Sequence, residues 1–368
     1  MIGNGESLLL YLTSFSLSAY MLSIYKKNKK YLIYLLVAMI IPVLIAGMRG
    51  LWCGADSHVY IGSASNPTTN SFIEIIKENG IFESLHQESY KLARLFHTPR
   101  APLIFWAIIT IVFIVLWILK TTQDPGITYF MYLFLFFSTG MNVSRQYMAL
   151  SIVVFASQFI IERKWLKFYI CILISLMLHT SAVFLIPTYF LWTRDNKVID
   201  RKICVLILIS LIVFVSQLQG VLEGFSEYDT GVSSINRYIS YTDEASSKNR
   251  DFFLECFTTA IILLHAKQLI DQRNDNELYI LMICMGVCLN AAGFVSPFVK
   301  RIAVYFTIYK IVLIPQIAKL YYGKNRLIAN ALIVIYVVML FIVIYFVLGQ
   351  GRIFPYSWEI PRTYWLNL

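Results

Sequence analysis

The stretch Phe130-Met-Tyr-Leu-Phe-Leu-Phe-Phe137-Ser-Thr-Gly-Met-Asn142-Val-Ser-Arg145-Gln146-Tyr-Met-Ala149-Leu-Ser-Ile-Val-Val-Phe155 decides the fold. Two apolar runs flank a short polar patch that holds an asparagine, an arginine and a glutamine. A guanidinium beside lipid is costly, and charges at the membrane edge generally face a water-filled cavity and mark a ligand path. The patch therefore reads as a polar site on the rim of a helical membrane bundle. Composition extends this to the whole chain: 58% of the 368 residues are hydrophobic and only 14% are charged, with a mean hydropathy of +0.66. A soluble domain cannot cover that much apolar surface, so an all-α polytopic membrane protein is expected.

Apolar runs occur near 7–25, 31–48, 101–119, 127–140, 147–161, 165–179, 181–193, 203–217, 252–269, 277–293, 302–318 and 327–348. Basic clusters follow the odd-numbered runs: Lys26 to Lys30, Lys120, Arg163 to Lys167, Arg194 to Lys202, Lys267 and Arg273, and Lys319 to Arg326. Such clusters mark cytoplasmic loops. About 12 transmembrane helices follow, with both termini outside. The same clusters account for the net charge of +10 without nucleic acid. The run from Phe168 to Trp192 has basic residues at both ends, so it reads as a hairpin of two short helices with His179-Thr180-Ser181 at its outward turn. Residues 1–368 are expected to form a single integral membrane domain. Its outward parts are a long loop at 49–100 with amphipathic stretches, a second loop at 218–250 and a tail at 349–368. Glu6 precedes the first run and the lysines follow it, the reverse of a signal peptide.

In this topology Arg49, Arg145, His179, Arg237, Lys300 and Arg301 all fall on the outward side. Any one of them alone can be a snorkelling side chain. As a set they suit an anionic ligand, because guanidinium groups bind phosphate oxygens in a fixed fork. His179 is either a packing residue or a base or donor at a site. No carboxylate lies deep in a run, Glu255 coming nearest at about one turn, which speaks against a proton-coupled transporter. Lys310 reads as snorkelling or structurally paired, and Tyr356, Trp358, Tyr364 and Trp365 as an interfacial aromatic belt. The six cysteines read as structural. Without a Walker motif, Gly-rich nucleotide loop, D-x-D pair or metal-ligand cluster, neither nucleotide sugar nor metal nor other cofactor is indicated.

These residues match a family pattern. Arg49…Gly54-Ala-Asp56-Ser-His-Val-Tyr60 resembles the first outward loop of the EpsG-like proteins, a branch of the Wzy-type polysaccharide polymerases. Asn142-Val-Ser-Arg145-Gln146-Tyr-Met-Ala149 resembles their N-x-x-R-Q-x-x-A segment, and His179-Thr-Ser-Ala182 their H-x-S-A segment. Arg301 before Val304-Tyr305-Phe306 and the closing Pro355-Tyr356 also fit. One departure is Ser57, where an aromatic commonly follows the aspartate.

The resemblance implies a metal-independent, GT-C-like lipid-linked glycosyltransferase bundle in the bacterial cytoplasmic (inner) membrane, with its active side facing the periplasm or outside. It would join undecaprenyl-pyrophosphate-linked oligosaccharide repeat units into O-antigen or a related surface polysaccharide, alongside a flippase and a chain-length regulator. In that chemistry Arg145 and Arg301, helped by Arg49 and Arg237, would stabilise the departing pyrophosphate. His179 and Asp56 are alternative partners for the acceptor hydroxyl. Asn142 and Gln146 would contact sugar hydroxyls or fix the arginine, and Tyr60, Tyr238 and Tyr241 would stack on sugar rings. The rival readings are an O-antigen ligase, which usually carries its large outward loop late in the chain, and a lipid-linked oligosaccharide flippase, which would expose charge through a central cavity. An early large loop and polar residues on one rim favour a polymerase.

Overall fold

The computed structural model describes residues 2–193, 195, 248–293 and 297–365. Among them the protein is helical, with no strand. Eleven of the twelve apolar runs lie in this part and each is helical; the run 203–217 lies outside it. Among the described residues, by length and composition, five helices can cross a bilayer, or six if the bent pair Phe252–Leu264 and Ala266–Gln272 is one span. This is fewer than the twelve crossings expected. Leu32–Gly47, Trp165–Leu178, Thr180–Leu191 and Asn276–Ala292 are apolar but shorter, and the run 127–140 passes through a π turn at Leu133–Phe137. The chain is a multi-pass membrane protein.

Two compact units form. The first comprises residues 1–158, 169–183 and 321–368, and the second residues 159–168 and 184–320.

In the first unit, helix Asn4–Lys27 carries Glu6 in its first turn and Lys26 and Lys27 in its last, each favourably placed in the field of the helix dipole. Gly126 lets Pro125–Tyr132 approach it closely: a Cβ there would lie 2.7 Å from Ser23 Cβ. The rings of Phe15, Phe134 and Phe341 meet edge to face with centroids 5.2–6.2 Å apart, an arrangement that adds about 0.5–1.5 kcal/mol per pair beyond burial. Gly323–Val347 is the most apolar span and the least covered. Leu327, Leu332, Ile335 and Met339 turn outward from it, a face suited to lipid. Pro102 opens helix Ala101–Thr121, where a missing N–H is harmless.

The expected hairpin is present. Helix Trp165–Leu178 stops before His179 and a 3-10 helix, Thr180–Leu191, follows. The rings of Phe168 and Tyr189 lie 5.5 Å apart, and Arg163 donates to the Trp192 carbonyl. A straight helix would separate Phe168 from Tyr189 by about 30 Å, so the chain reverses between them.

In the second unit, helix Lys248–Leu264 bends by 62° into Ala266–Gln272. Asn276 Nδ2 donates to Gln316 Oε1 at 2.7 Å and to Leu269 O at 2.7 Å, a carbonyl that also accepts from Arg273 N. Lys310 is paired rather than snorkelling: its ammonium donates to Glu255 Oε1. Glu255 stands about one turn into the apolar run, on helix Lys248–Leu264. Both side chains are nearly covered, at 11% and 16% exposure. Breaking such a pair from one side leaves a buried charge, which costs about 3–5 kcal/mol. Lys310→Met is therefore expected to lower the aggregation temperature of the detergent-solubilised protein, and Lys310→Met with Glu255→Gln to recover most of the loss. An unchanged single variant in a heat-and-size-exclusion assay would show that the pair contributes little.

Candidate active site

The site is built from the loop 49–100, the start of helix Ser144–Ile161 and the turn at His179. Arg49 follows the end of helix Leu32–Gly47 and is buried. Its guanidinium donates to Ser57 Oγ at 2.9 Å, to Ser144 Oγ at 3.0 Å and to the Ala46 carbonyl. It thus fastens the loop to two helices instead of facing outward as an anion ligand would. A small cavity of about 20 Å³, room for one water, opens beside it between Leu103, Trp106, Ser144 and Tyr147.

Asn142 is also turned inward. Its Oδ1 accepts from Ala55 N at 2.6 Å, so it ties down the loop. Gly54 holds the turn with φ +107°, a region open to glycine. Gln146 is buried. Tyr60 is buried as well, its ring 5.2 Å from that of Trp106 and edge to face. That ring packs the floor and is not presented to a sugar. His86 and Tyr90 complete the floor, 4.8 and 5.4 Å from the Trp106 ring, and Trp106 Nε1 donates to Ser89 Oγ at 2.8 Å. Burial, and then the charge of Arg145, push the His86 imidazole well below its ordinary value, so it stays neutral.

The tail folds over the loop. Gly50 N donates to Ser357 O, Leu51 N to Glu359 O, Gly54 N to Arg352 O and Ala55 N to Gly351 O. Tyr356 is buried with its hydroxyl donating to Ile45 O at 3.0 Å. Of the aromatic belt expected in the tail, Trp358 and Trp365 are the exposed members, and Tyr356 is instead an anchor.

Above the floor, two of the expected site residues converge on a carboxylate that sequence reasoning missed. Glu83 Oε2 accepts from Arg145 Nη1 at 2.9 Å. Its Oε1 lies 3.0 Å from His179 Nδ1 and accepts from Thr180 Oγ1 at 3.2 Å. The side chains of Arg145, Glu83 and His179 are 27%, 15% and 11% exposed, so the cluster is recessed but open. Burial alone would raise the Glu83 carboxyl. The His179 hydrogen bond and the Arg145 charge outweigh it and hold the group well below the usual carboxylate range. Nothing in the sequence separates Glu83 from Glu74, Glu78 and Glu88 of the same loop. Only its left-handed backbone, φ +57°, and the reversal at His179 bring it into place.

Asp56 precedes helix Ser57–Ser65, close enough for its charge and that of Arg145 to act on the Tyr60 phenol, which burial pushes up. Arg301 lies on helix Pro297–Thr307 of the second unit. Arg237, Tyr238 and Tyr241 lie outside the described residues.

Arginine fork, imidazole and carboxylate side by side suit binding of a phosphorylated group with proton transfer next to it. None of the curated proteins and none of the solved structures matches the chain. The model of the EpsG family matches residues 32–358, most of the chain and all of the site just described, and the protein therefore belongs to the EpsG family.

Proposed function

We propose that this protein is a polysaccharide polymerase of the bacterial cytoplasmic membrane. It joins oligosaccharide units carried on undecaprenyl pyrophosphate, in a GT-C-like bundle whose site opens to the outer side. The observation that carries this reading is the convergence of Arg145 and His179 in one recessed, partly open cluster. Arg145 is the second residue of its helix. A cation there opposes the helix dipole and does nothing for the helix, whereas an anion is attracted by the arginine and the helix terminus together.

In the reaction the acceptor hydroxyl oxygen bonds to the anomeric carbon of the growing chain. The bond from that carbon to the pyrophosphate oxygen breaks, and its electron pair leaves with the pyrophosphate. Arg145 stabilises the charge that builds there. His179 takes the hydroxyl proton. Asp56 is the other candidate for that proton. Arg49 and Asn142 serve by holding the loop. A flippase supplies the lipid-linked units and a chain-length regulator limits the product.

The test is direct. Purified, metal-free protein incubated with a synthetic lipid-linked repeat unit is expected to yield a ladder on a gel without nucleotide sugar. Single units that cross a proteoliposome bilayer without lengthening would replace this reading with transport.

A further inference from the structure

We propose that Glu83 is the positioning residue of the site: it fixes His179 with the proton on Nδ1 and leaves Nε2 as the basic nitrogen facing the acceptor hydroxyl. The inference rests on the reading of His179 as the base.

Four observations carry it. Glu83 adopts φ +57°, a conformation a side chain of this size rarely takes and one that persists where surrounding structure imposes it. Its N–H donates to Leu176 O at 3.1 Å, in the turn that leads into His179. Backbone and side chain of Glu83 therefore both grip the segment bearing the histidine, although 96 residues separate the two. Glu83 also precedes helix Ser84–Ser89 without capping it through its side chain. Its carboxylate is turned away from that local use.

The third observation is the division of labour between the oxygens. Oε1 serves His179 and Thr180, and Oε2 serves Arg145. An ionised carboxylate only accepts hydrogen bonds, so Nδ1 is the donor, and in the neutral imidazole the lone pair is then on Nε2. The fourth is the surroundings of the ring. Glu83, itself paired with Arg145, stands against the ring, and the neighbouring His86 is buried and neutral. Thr180 Oγ1 is spent on the same carboxylate oxygen. A base oriented by a third group in this way is the general logic of an activated acceptor or nucleophile.

The tautomer is read by ¹⁵N NMR of histidine-labelled full-length protein in nanodiscs, with His179→Phe identifying the signal among the five histidines. The wild type is expected to show Nδ1 protonated and Nε2 free. Glu83→Gln keeps an acceptor at Oε1 and is expected to keep that tautomer. Glu83→Ala is expected to revert to the Nε2–H form of free imidazole. In the extension assay Glu83→Ala is expected to lower kcat about 10- to 100-fold with KM little changed, and Glu83→Gln to recover part of it. A His179 tautomer that ignores Glu83→Ala overturns the proposal. So does a Glu83→Gln variant that works faster than the wild type, since Glu83 would then be an occupant of the anion site. If the wild type makes no polymer while the tautomer still follows Glu83, the orientation stands and the polymerase reading falls.

Discussion

Chain extension by Arg145→Ala is expected to fall about 100- to 1,000-fold, the loss typical of removing one donor that faces a developing oxyanion. Arg145→Lys restores the charge but not the planar fork, and is expected to recover only part of the rate. Lys91→Ala is the control. Its ammonium pairs with Glu88 at 2.7 Å one helical turn away, and such exposed pairs contribute little. An Arg145→Ala variant that extends chains normally would remove the centre of the proposed mechanism.

Arg145→Ala has a second effect with a sign that can be worked out. The Glu83 carboxyl is depressed in the folded protein, and Arg145 is one cause. A depressed carboxyl contributes stability above its unfolded value, about 4.3, and that stability is lost as pH falls through the folded value. Without Arg145 the folded value rises toward the unfolded one. The stabilisation at neutral pH shrinks, and its acid loss, which starts near the unfolded value in both proteins, is complete at a higher pH. Thermal midpoints of wild type and variant measured from pH 7 to pH 3 would show this. Adding Glu83→Gln to Arg145→Ala removes the carboxylate that has lost its cation and is expected to restore most of the midpoint without restoring extension, which separates folding from chemistry.

The helices were legible because apolar runs and basic clusters are local signals. The interruptions were not. The π turn at Leu133–Phe137 and the break between Pro297–Thr307 and Lys310–Ala318 fall within apolar residues, and packing alone decides them. The site was half legible. Arg145 and His179 stood out because charge beside an apolar run needs a reason. Arg49 stood out for the same reason, Asn142 as part of the polar patch and Tyr60 through the family resemblance, but they face inward, toward Ala46 O, Ala55 N and the Trp106 ring. A polar side chain near a helix end looks the same in sequence whether it satisfies backbone or binds substrate. Glu83 stayed hidden because a loop carboxylate reads as solvated.

Gly50→Ala is expected to release the tail, although alanine is the mildest of substitutions. A Cβ at Gly50 would lie 2.6 Å from Glu359 N and 2.8 Å from the Trp358 carbonyl carbon, and closer still to Glu359 O. All three are backbone atoms, so no rotamer change can make room. Gly50 N also donates to Ser357 O, and a shift that admits the methyl group breaks that bond. Overpacking of this kind costs about 1–3 kcal/mol, and at the upper end the released fraction rises roughly 100-fold. Cys53 reports the release. It is fully buried beneath the tail, its thiol 3.7 Å from Ile353 O, and burial pushes its pKa up. In a background where the other five cysteines are replaced, maleimide labelling of Cys53 is expected to accelerate in Gly50→Ala by that factor, with extension activity falling alongside. Gly62→Ala is the matched control: nothing lies within 4 Å of its Cβ, it sits inside helix Ser57–Ser65, and alanine there is expected to stabilise by about 0.5–1 kcal/mol. Equal labelling of the two variants would mean that the tail does not seal the loop. Faster labelling in Gly50→Ala with full activity would mean that the seal is there but the site does not depend on it.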